Sequence, residues 1–111
     1  PWPDCLMRSW EKLKQDPEVY LTMNGPSEFF VIGTLKNWSI VNRLGEIDVP
    51  SLLLSGRYDE ATPAIVETVH RGIRGSEWVV FEDSSHMPHL EEPERYFKVL
   101  TDFLNRVEAK V

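Results

Sequence analysis

The sequence predicts an α/β domain with a parallel sheet, and the order of patterns in its second half is the basis of that prediction. Two short apolar runs, SLLLSG at 51–56 and SEWVVFE at 76–82, are typical of strands that are buried on both faces. A helical pattern with one apolar stripe follows each run, at 62–73 and at 92–107. Strand, helix, strand and helix in this order favour a parallel sheet with crossover helices.

The two helices of this second half have clear sequence signals. The first is expected to begin at Thr62 as the N-cap, with Pro63 in its first turn. In the second helix, five large side chains are expected to face inward: Tyr96, Phe97, Leu100, Phe103 and Leu104. Two strands alone do not form a stable sheet. Their outer edges are therefore expected to pair with a portion of the protein that lies outside this chain.

The first part of the chain is less regular and rich in aromatic residues. A helix is predicted at 4–15, with Asp4 as the N-cap and one apolar face. A second short helix is predicted at 17–23, with Asp16 as its N-cap. Residues 34–45 are expected to include another short helix.

Composition excludes several classes of function. The chain has 111 residues and a formal net charge of −6, which argues against nucleic acid as a partner. Its apolar runs are too short to span a membrane, so no membrane partner is expected. The single Cys5 cannot form an internal disulfide, which favours a reducing cytoplasm. The chain begins without Met, which indicates a fragment of a longer protein.

The loops that follow the two strands carry the candidate chemistry, because ligands of open parallel sheets bind beyond the carboxyl ends of the strands. The loop GRYDEATP offers Asp59, and the loop EDSSHMPHLEEP offers His86. In a Ser-His-Asp triad the imidazole takes the proton of the nucleophile, and the carboxylate holds the imidazole in the correct tautomer. An Asp after a strand is also typical of a turn, and a single His is often structural. Only their occurrence after consecutive strands favours catalysis.

Other acidic and histidine residues of the second loop fit different roles. His86 and His89 are three residues apart, but the spacing differs from the helical H-E-x-x-H metal motif, and Pro88 interrupts the segment. No metal and no cofactor are therefore expected. Glu91 and Glu92 are expected to stabilise the N-terminus of the following helix through its dipole.

Three stretches together resemble the proline iminopeptidases, α/β-hydrolase serine peptidases that remove N-terminal proline. They are MNGPSEFFVIGTLKNW, GRYDEATP and SSHMPHLEEPERY, and the resemblance extends over residues 17–104. The H-x-P-x-x-E-x-P part of the third stretch is general to α/β-hydrolases, whereas GPSEF with DEATP is specific to the family. The resemblance implies that residues 1–45 belong to a helical cap and residues 46–111 to the C-terminal part of the catalytic core.

The resemblance also implies roles for single residues. His86, rather than His89, matches the catalytic histidine, and Asp59 matches the acid that orients it. Glu28 and Glu60 match the carboxylates that bind the protonated amine of the substrate. Two carboxylates around one ammonium form charge-assisted hydrogen bonds, and neither carboxylate is expected to orient His86.

One departure from the family pattern limits the function of this chain alone. No G-x-S-x-G motif occurs in it, and the nearest match, GPSEF, has Phe29 in place of the second Gly. The serine nucleophile is therefore expected in a missing N-terminal portion of the hydrolase. The expected substrate is a peptide with a free N-terminal proline. The alternatives are another α/β-hydrolase, such as an esterase or an epoxide hydrolase, and a non-catalytic binding or partner subunit.

Overall fold

The structure is a computed structural model that describes residues 2–111. The chain divides into two compact units, of which the first ends at Ser39 and the second runs from Ile40 to Val111. This division lies earlier in the chain than the predicted boundary between residues 45 and 46. The assignment of the two parts to a cap and a catalytic core stays a prediction.

The first unit contains two helices, α1 (Asp4–Gln15) and α2 (Glu18–Met23). Both were predicted, but their predicted N-caps are wrong, because Pro3 caps α1 and Pro17 caps α2. At Pro3 the backbone is extended, with φ −59° and ψ 142°, so that Asp4 already lies in the first helical turn. A carboxylate there interacts favourably with the positive end of the helix dipole.

The segment after α2 folds back onto the end of that helix. The carbonyl of Asn24 accepts hydrogen bonds from the backbone N–H groups of Ile32 and Gly33, at 2.9 and 3.1 Å. A Cβ atom at Gly33 would overlap the backbone carbonyl of Thr22, so glycine permits this close approach. The result is a closed loop between Asn24 and Ile32, and this loop carries Glu28.

The second unit has the predicted α/β order. Its elements in chain order are a 3₁₀-helix (Val41–Glu46), β1 (Leu52–Gly56), α3 (Pro63–Gly72), β2 (Glu77–Phe81), α4 (Pro88–Glu91) and α5 (Pro93–Glu108). The two strands pair in parallel, with Leu52 opposite Glu77 and Gly56 opposite Phe81. No helix within residues 2–111 combines the length and the apolarity that crossing a membrane requires.

The core of the second unit is centred on Phe81. This side chain has no exposed surface, and the ring of Tyr96 lies 5.7 Å from it, centroid to centroid. The guanidinium of Arg95 covers the same ring at 4.8 Å, a cation–π contact. Burial of one Phe side chain contributes about 1.5–3 kcal/mol to stability, and this residue joins the end of β2 to α5.

Burial elsewhere is lower than the sequence pattern predicts. The prediction that five large residues of α5 face inward is wrong for Phe97 and Leu104, which are 54% and 47% exposed. The Leu run of β1, predicted to be buried on both faces, is only half-buried. Within the described part of the chain, each strand has a single neighbour, so that neither strand is covered as an internal strand of a larger sheet would be.

The backbone after β2 crosses directly over the end of β1. At Gly56 a Cβ atom would overlap the carbonyl oxygens of Ser84 and Ser85, so no side chain fits between the two loops. The N–H of Tyr58 donates to the carbonyl of Ser84 at 3.0 Å. The loops that leave the two strands are therefore bonded to each other where they begin.

We expect Gly56→Ala to lower the free energy of unfolding by about 3 kcal/mol or more, since the added methyl group forces the 84–85 backbone away. Gly45→Ala is a matched control, because a Cβ there meets nothing within 4 Å, and it should leave stability unchanged or raise it by up to about 1 kcal/mol. Urea unfolding of the parent and both variants measures this difference. Equal effects of the two substitutions would contradict the close crossing.

Candidate active site

Asp59 lies in the loop after β1 and is held from two directions. Its side chain is only 9% exposed. One oxygen, Oδ1, accepts a hydrogen bond from the backbone N–H of Ala61 at 2.9 Å and lies 3.0 Å from Nδ1 of His86. The carboxylate is therefore fixed by its own loop and faces the loop that follows β2.

His86 completes this pair from the second loop, and 58% of its side chain is exposed. When Nδ1 carries the proton, it donates to Asp59 Oδ1, and Nε2 is then the basic nitrogen of the ring. A carboxylate behind Nδ1 also stabilises the imidazolium that forms when Nε2 accepts a proton. The arrangement can therefore perform general base and general acid chemistry.

Glu60 lies next to this pair and is 52% exposed. Its Oε1 is 3.7 Å from His86 Nδ1, which is too long for a hydrogen bond but close enough for electrostatic attraction to a protonated ring. The expectation that Glu60 does not orient His86 stays a prediction. Glu60 is close to the same nitrogen that Asp59 binds.

The ligand atoms of Asp59, Glu60 and His86 all lie within 4.8 Å of one another, and such a set resembles a cation site. In this structure, however, Nδ1 of His86 is engaged with Asp59. Acidic groups also gather at active sites that use no metal. The expectation of no metal stays a prediction.

His89, the second histidine of the motif, has different surroundings. It lies in α4 and is exposed. Its ring is 5.8 Å from the ring of Tyr96 in α5. The structure therefore pairs His86, and not His89, with the carboxylate of Asp59.

Glu28 belongs to the first unit, where a tyrosine holds it. The hydroxyl of Tyr20 donates a hydrogen bond to Glu28 Oε2, and the backbone N–H of Glu28 donates to the same hydroxyl oxygen at 3.0 Å. The carboxylate is exposed but its position is defined. Sequence reasoning missed Tyr20, because no spacing rule connects a residue of α2 with one in the loop eight positions later.

Glu91 binds the loop that carries His86, a role that sequence reasoning also missed. Its carboxylate accepts hydrogen bonds from the N–H and the hydroxyl of Ser85, at 2.9 and 2.8 Å. It also accepts one from the N–H of Met87 at 3.1 Å. The dipole role expected for Glu91 does not account for these bonds, which lie on both sides of His86.

Glu92 binds the beginning of the same loop. Its Oε2 accepts a hydrogen bond from the hydroxyl of Ser84 at 2.6 Å and from the N–H of Asp83 at 3.2 Å. Ser84 has no exposed surface, so this hydroxyl needs a partner within the protein. Glu92 also occupies the N-cap position of α5, and it therefore connects the loop to the helix.

These contacts alter the ionisation of Glu91. Partial burial raises its pKa, but the hydrogen bonds from Ser85 and Met87 lower the pKa further, and the net pKa lies below the ordinary value of 4.5. A carboxyl whose pKa is lower in the folded state stabilises that state above its unfolded pKa. This contribution is lost as the pH falls through the folded pKa, so the ionised carboxylate is the form that orders the loop near neutral pH.

Several proline iminopeptidases are similar to this chain. A proline iminopeptidase of Heyndrickxia coagulans is 47% identical over 108 residues, which are 92% of this chain and 38% of the relative. One of Saccharolobus solfataricus is 40% identical over 105 residues, or 95% of this chain and 34% of the relative. The crystal structure of the Mycobacterium smegmatis proline iminopeptidase has a TM-score of 0.93 and 38% identity, over 99% of this chain and 37% of that one.

The match is extensive for this chain and partial for its relatives. The chain spans about a third of the length of the curated relatives it matches. No protein-family model matches it. Nevertheless, both the sequence similarity and the structural similarity to proline iminopeptidases extend over nearly all of its residues. The chain therefore belongs to the family of the proline iminopeptidases and has part of the α/β-hydrolase fold.

Proposed function

We propose that this chain is the C-terminal part of a serine aminopeptidase that releases N-terminal proline from peptides. The observation that carries the proposal is the 3.0 Å contact between His86 Nδ1 and Asp59 Oδ1, at the ends of two adjacent parallel strands. A serine nucleophile requires a histidine that takes its proton and an acid that orients the histidine, and this pair can provide both. The nucleophile itself would come from an N-terminal portion of the hydrolase that precedes this sequence.

In the proposed reaction, the serine hydroxyl attacks the carbonyl carbon of the N-terminal proline. His86 Nε2 takes the hydroxyl proton while the Oγ–C bond forms, and the resulting imidazolium is stabilised by Asp59. The imidazolium then gives this proton to the leaving amine nitrogen as the C–N bond breaks. Water attacks the acyl-enzyme with His86 again as the base, which releases proline and restores the serine.

The proposed specificity depends on the charge of the substrate amine. Glu28 and Glu60 would each form a charge-assisted hydrogen bond with the protonated amine, worth about 1.5–3 kcal/mol. A peptide segment without a free N-terminus offers no such charge and would not form these bonds. Tyr20 supports the proposal for Glu28, because its hydroxyl fixes one carboxylate oxygen. A cytoplasmic location is part of the proposal and rests on the single Cys5.

We expect the purified 111-residue chain to show no aminopeptidase activity. Asp59 and His86 can activate a nucleophile, but the sequence contains no G-x-S-x-G motif to supply one. An assay with a proline arylamide, in which release of the arylamine is monitored, measures this activity. Turnover that copurifies with the chain through successive columns would show that the nucleophile lies within it.

In the complete protein, Asp59→Asn should lower kcat by about 10⁴-fold, because the amide favours the wrong imidazole tautomer. His86→Ala should reduce kcat at least as much. His89→Ala is the matched control, since its ring packs on Tyr96, and it should retain most of the activity. Steady-state kinetics on a proline arylamide test these expectations, and similar losses at the two histidines would contradict the proposed role of His86.

Glu28→Gln should reduce kcat/KM for a proline arylamide roughly ten- to a hundredfold, because it removes one charged hydrogen bond to the substrate amine. A neutral ester without the amine should be hydrolysed at an unchanged rate. Tyr20→Phe leaves the Glu28 charge in place and should give a smaller loss that is also confined to the arylamide. The measurement is kcat/KM for both substrates with all three enzymes.

The outcome of this comparison separates the aminopeptidase from a general hydrolase. Equal losses on both substrates would mean that Glu28 is structural, and an esterase would then be the better description. Glu60→Gln is a less selective test than Glu28→Gln, because Glu60 lies 3.7 Å from His86 Nδ1. We expect that variant to affect the ester as well.

A further inference from the structure

We propose that Glu91 is a positioning residue for His86, an inference that rests on the proposed function of the Asp59–His86 pair. Glu91 has no place in the proposed chemistry, since it is not the acid that binds the imidazole. Its carboxylate instead holds the backbone on the two sides of the catalytic histidine. We infer that this contact sets the direction in which the imidazole leaves the loop.

The geometry of the contact is specific. One oxygen of Glu91, Oε2, accepts from the backbone N–H of Ser85 at 2.9 Å and from that of Met87 at 3.1 Å. The other oxygen, Oε1, accepts from the hydroxyl of Ser85 at 2.8 Å. A single carboxylate therefore binds the residue before His86 and the residue after it.

Met87 is held at both of its backbone polar groups by the same residue. Its N–H donates to the side chain of Glu91, and its carbonyl accepts from the backbone N–H of Glu91 at 3.0 Å. The carbonyl also accepts from the N–H of Leu90 at 2.8 Å. The short helix α4 thus closes back onto the loop, and the backbone at Met87 has little freedom to rotate.

Other contacts fix the beginning of the loop, and Glu91 provides the hydrogen bonds to the residues next to His86. Glu92 binds the buried hydroxyl of Ser84, and the Ser84 carbonyl accepts from Tyr58 in the other loop. These bonds end one residue before Ser85. Without the Glu91 carboxylate, the N–H groups of Ser85 and Met87 would lose their bonds to it, and Met87 would keep those that its carbonyl accepts from Leu90 and Glu91.

A helix-dipole role predicts a different result from a positioning role. Glu94 is also acidic, exposed and in the first turn of α5, so Glu94→Gln removes the same charge from the same helix end. Glu91→Gln keeps the size of the side chain and one acceptor oxygen but loses the charge, so any bonds that remain to Ser85 and Met87 are neutral and weaker. A dipole effect would be similar for the two variants, whereas loss of positioning is restricted to Glu91→Gln.

The test compares parent, Glu91→Gln and Glu94→Gln in the complete protein, with a proline arylamide and a neutral ester as substrates. For Glu91→Gln we expect kcat to fall on the order of 10²-fold for both substrates, as for a misplacement of about 1 Å at a catalytic group. KM should change by less than about threefold, because the contacts to the substrate remain. Glu94→Gln should keep the kcat and KM of the parent.

Amide hydrogen exchange provides a readout that does not depend on activity. It also tests the parent protein directly, so the inference can be checked even if a variant folds poorly. In the parent, the N–H groups of Ser85 and Met87 should be protected, and Glu91→Gln should lower the protection of both, because neutral bonds are weaker, while the strand amides stay protected. Rapid exchange of these two N–H groups in the parent would overturn the inference. So would a Glu91→Gln enzyme with the kcat of the parent.

These results separate the inference from the proposed function. If the parent hydrolyses neither substrate, the proposed function fails and with it the catalytic part of the inference, while the exchange data still decide whether Glu91 holds the loop. If the parent is active and Glu91→Gln is equally active, the function stands and the positioning role is wrong. Loss of kcat in Glu91→Gln alone, together with faster exchange at Ser85 and Met87, supports both.

Discussion

The close crossing of the 84–85 backbone over Gly56 is the constraint on which the candidate site depends. Two parallel strands bring their carboxyl ends to the same edge of the sheet, but the loops that leave them are free to diverge. Here the absence of a side chain at Gly56 lets the second loop lie against the end of β1. The bond from Tyr58 to Ser84 then joins the two loops, and Asp59 and His86 lie only one and two residues beyond these bonded positions.

Hydrogen bonds to carboxylates determine the local geometry beyond that crossing. Asp59, Glu91 and Glu92 each accept a backbone N–H from a loop residue, and each accepts a side-chain donor as well. Charge-assisted bonds of this kind are shorter and stronger than neutral ones. They allow short, polar loops to hold a defined conformation although most of their side chains contribute little apolar burial.

The sequence predicted those features that have a local or periodic signal. The strands at Leu52–Gly56 and Glu77–Phe81, and the helices between and after them, follow from apolar runs, Pro63 and Pro93. The neighbourhood of Asp59 and His86 follows from the rule for parallel strands, and their distance agrees with it. The contacts of Tyr20 and Glu91 could not be predicted. No spacing rule connects Tyr20 with Glu28, and a carboxylate that binds a backbone N–H looks the same in the sequence as one at a helix end. Burial was overestimated for Phe97 and Leu104, since helical periodicity identifies an apolar face but not what covers it.

Glu91 illustrates why a motif can be recognised before its physical reason is known. In H-x-P-x-x-E-x-P, the histidine and the glutamate are His86 and Glu91, and the two prolines each begin a helix, α4 at Pro88 and α5 at Pro93. A helix of only four residues, Pro88–Glu91, turns the chain back by the distance that lets the Glu91 side chain reach Ser85 and Met87. The first proline sets the start of that turn, and the second starts a new helix after it, so the spacing of the motif fixes a return of the chain onto its own loop. On this argument the glutamate is required at that spacing because of the backbone it binds, and the histidine is oriented as a consequence.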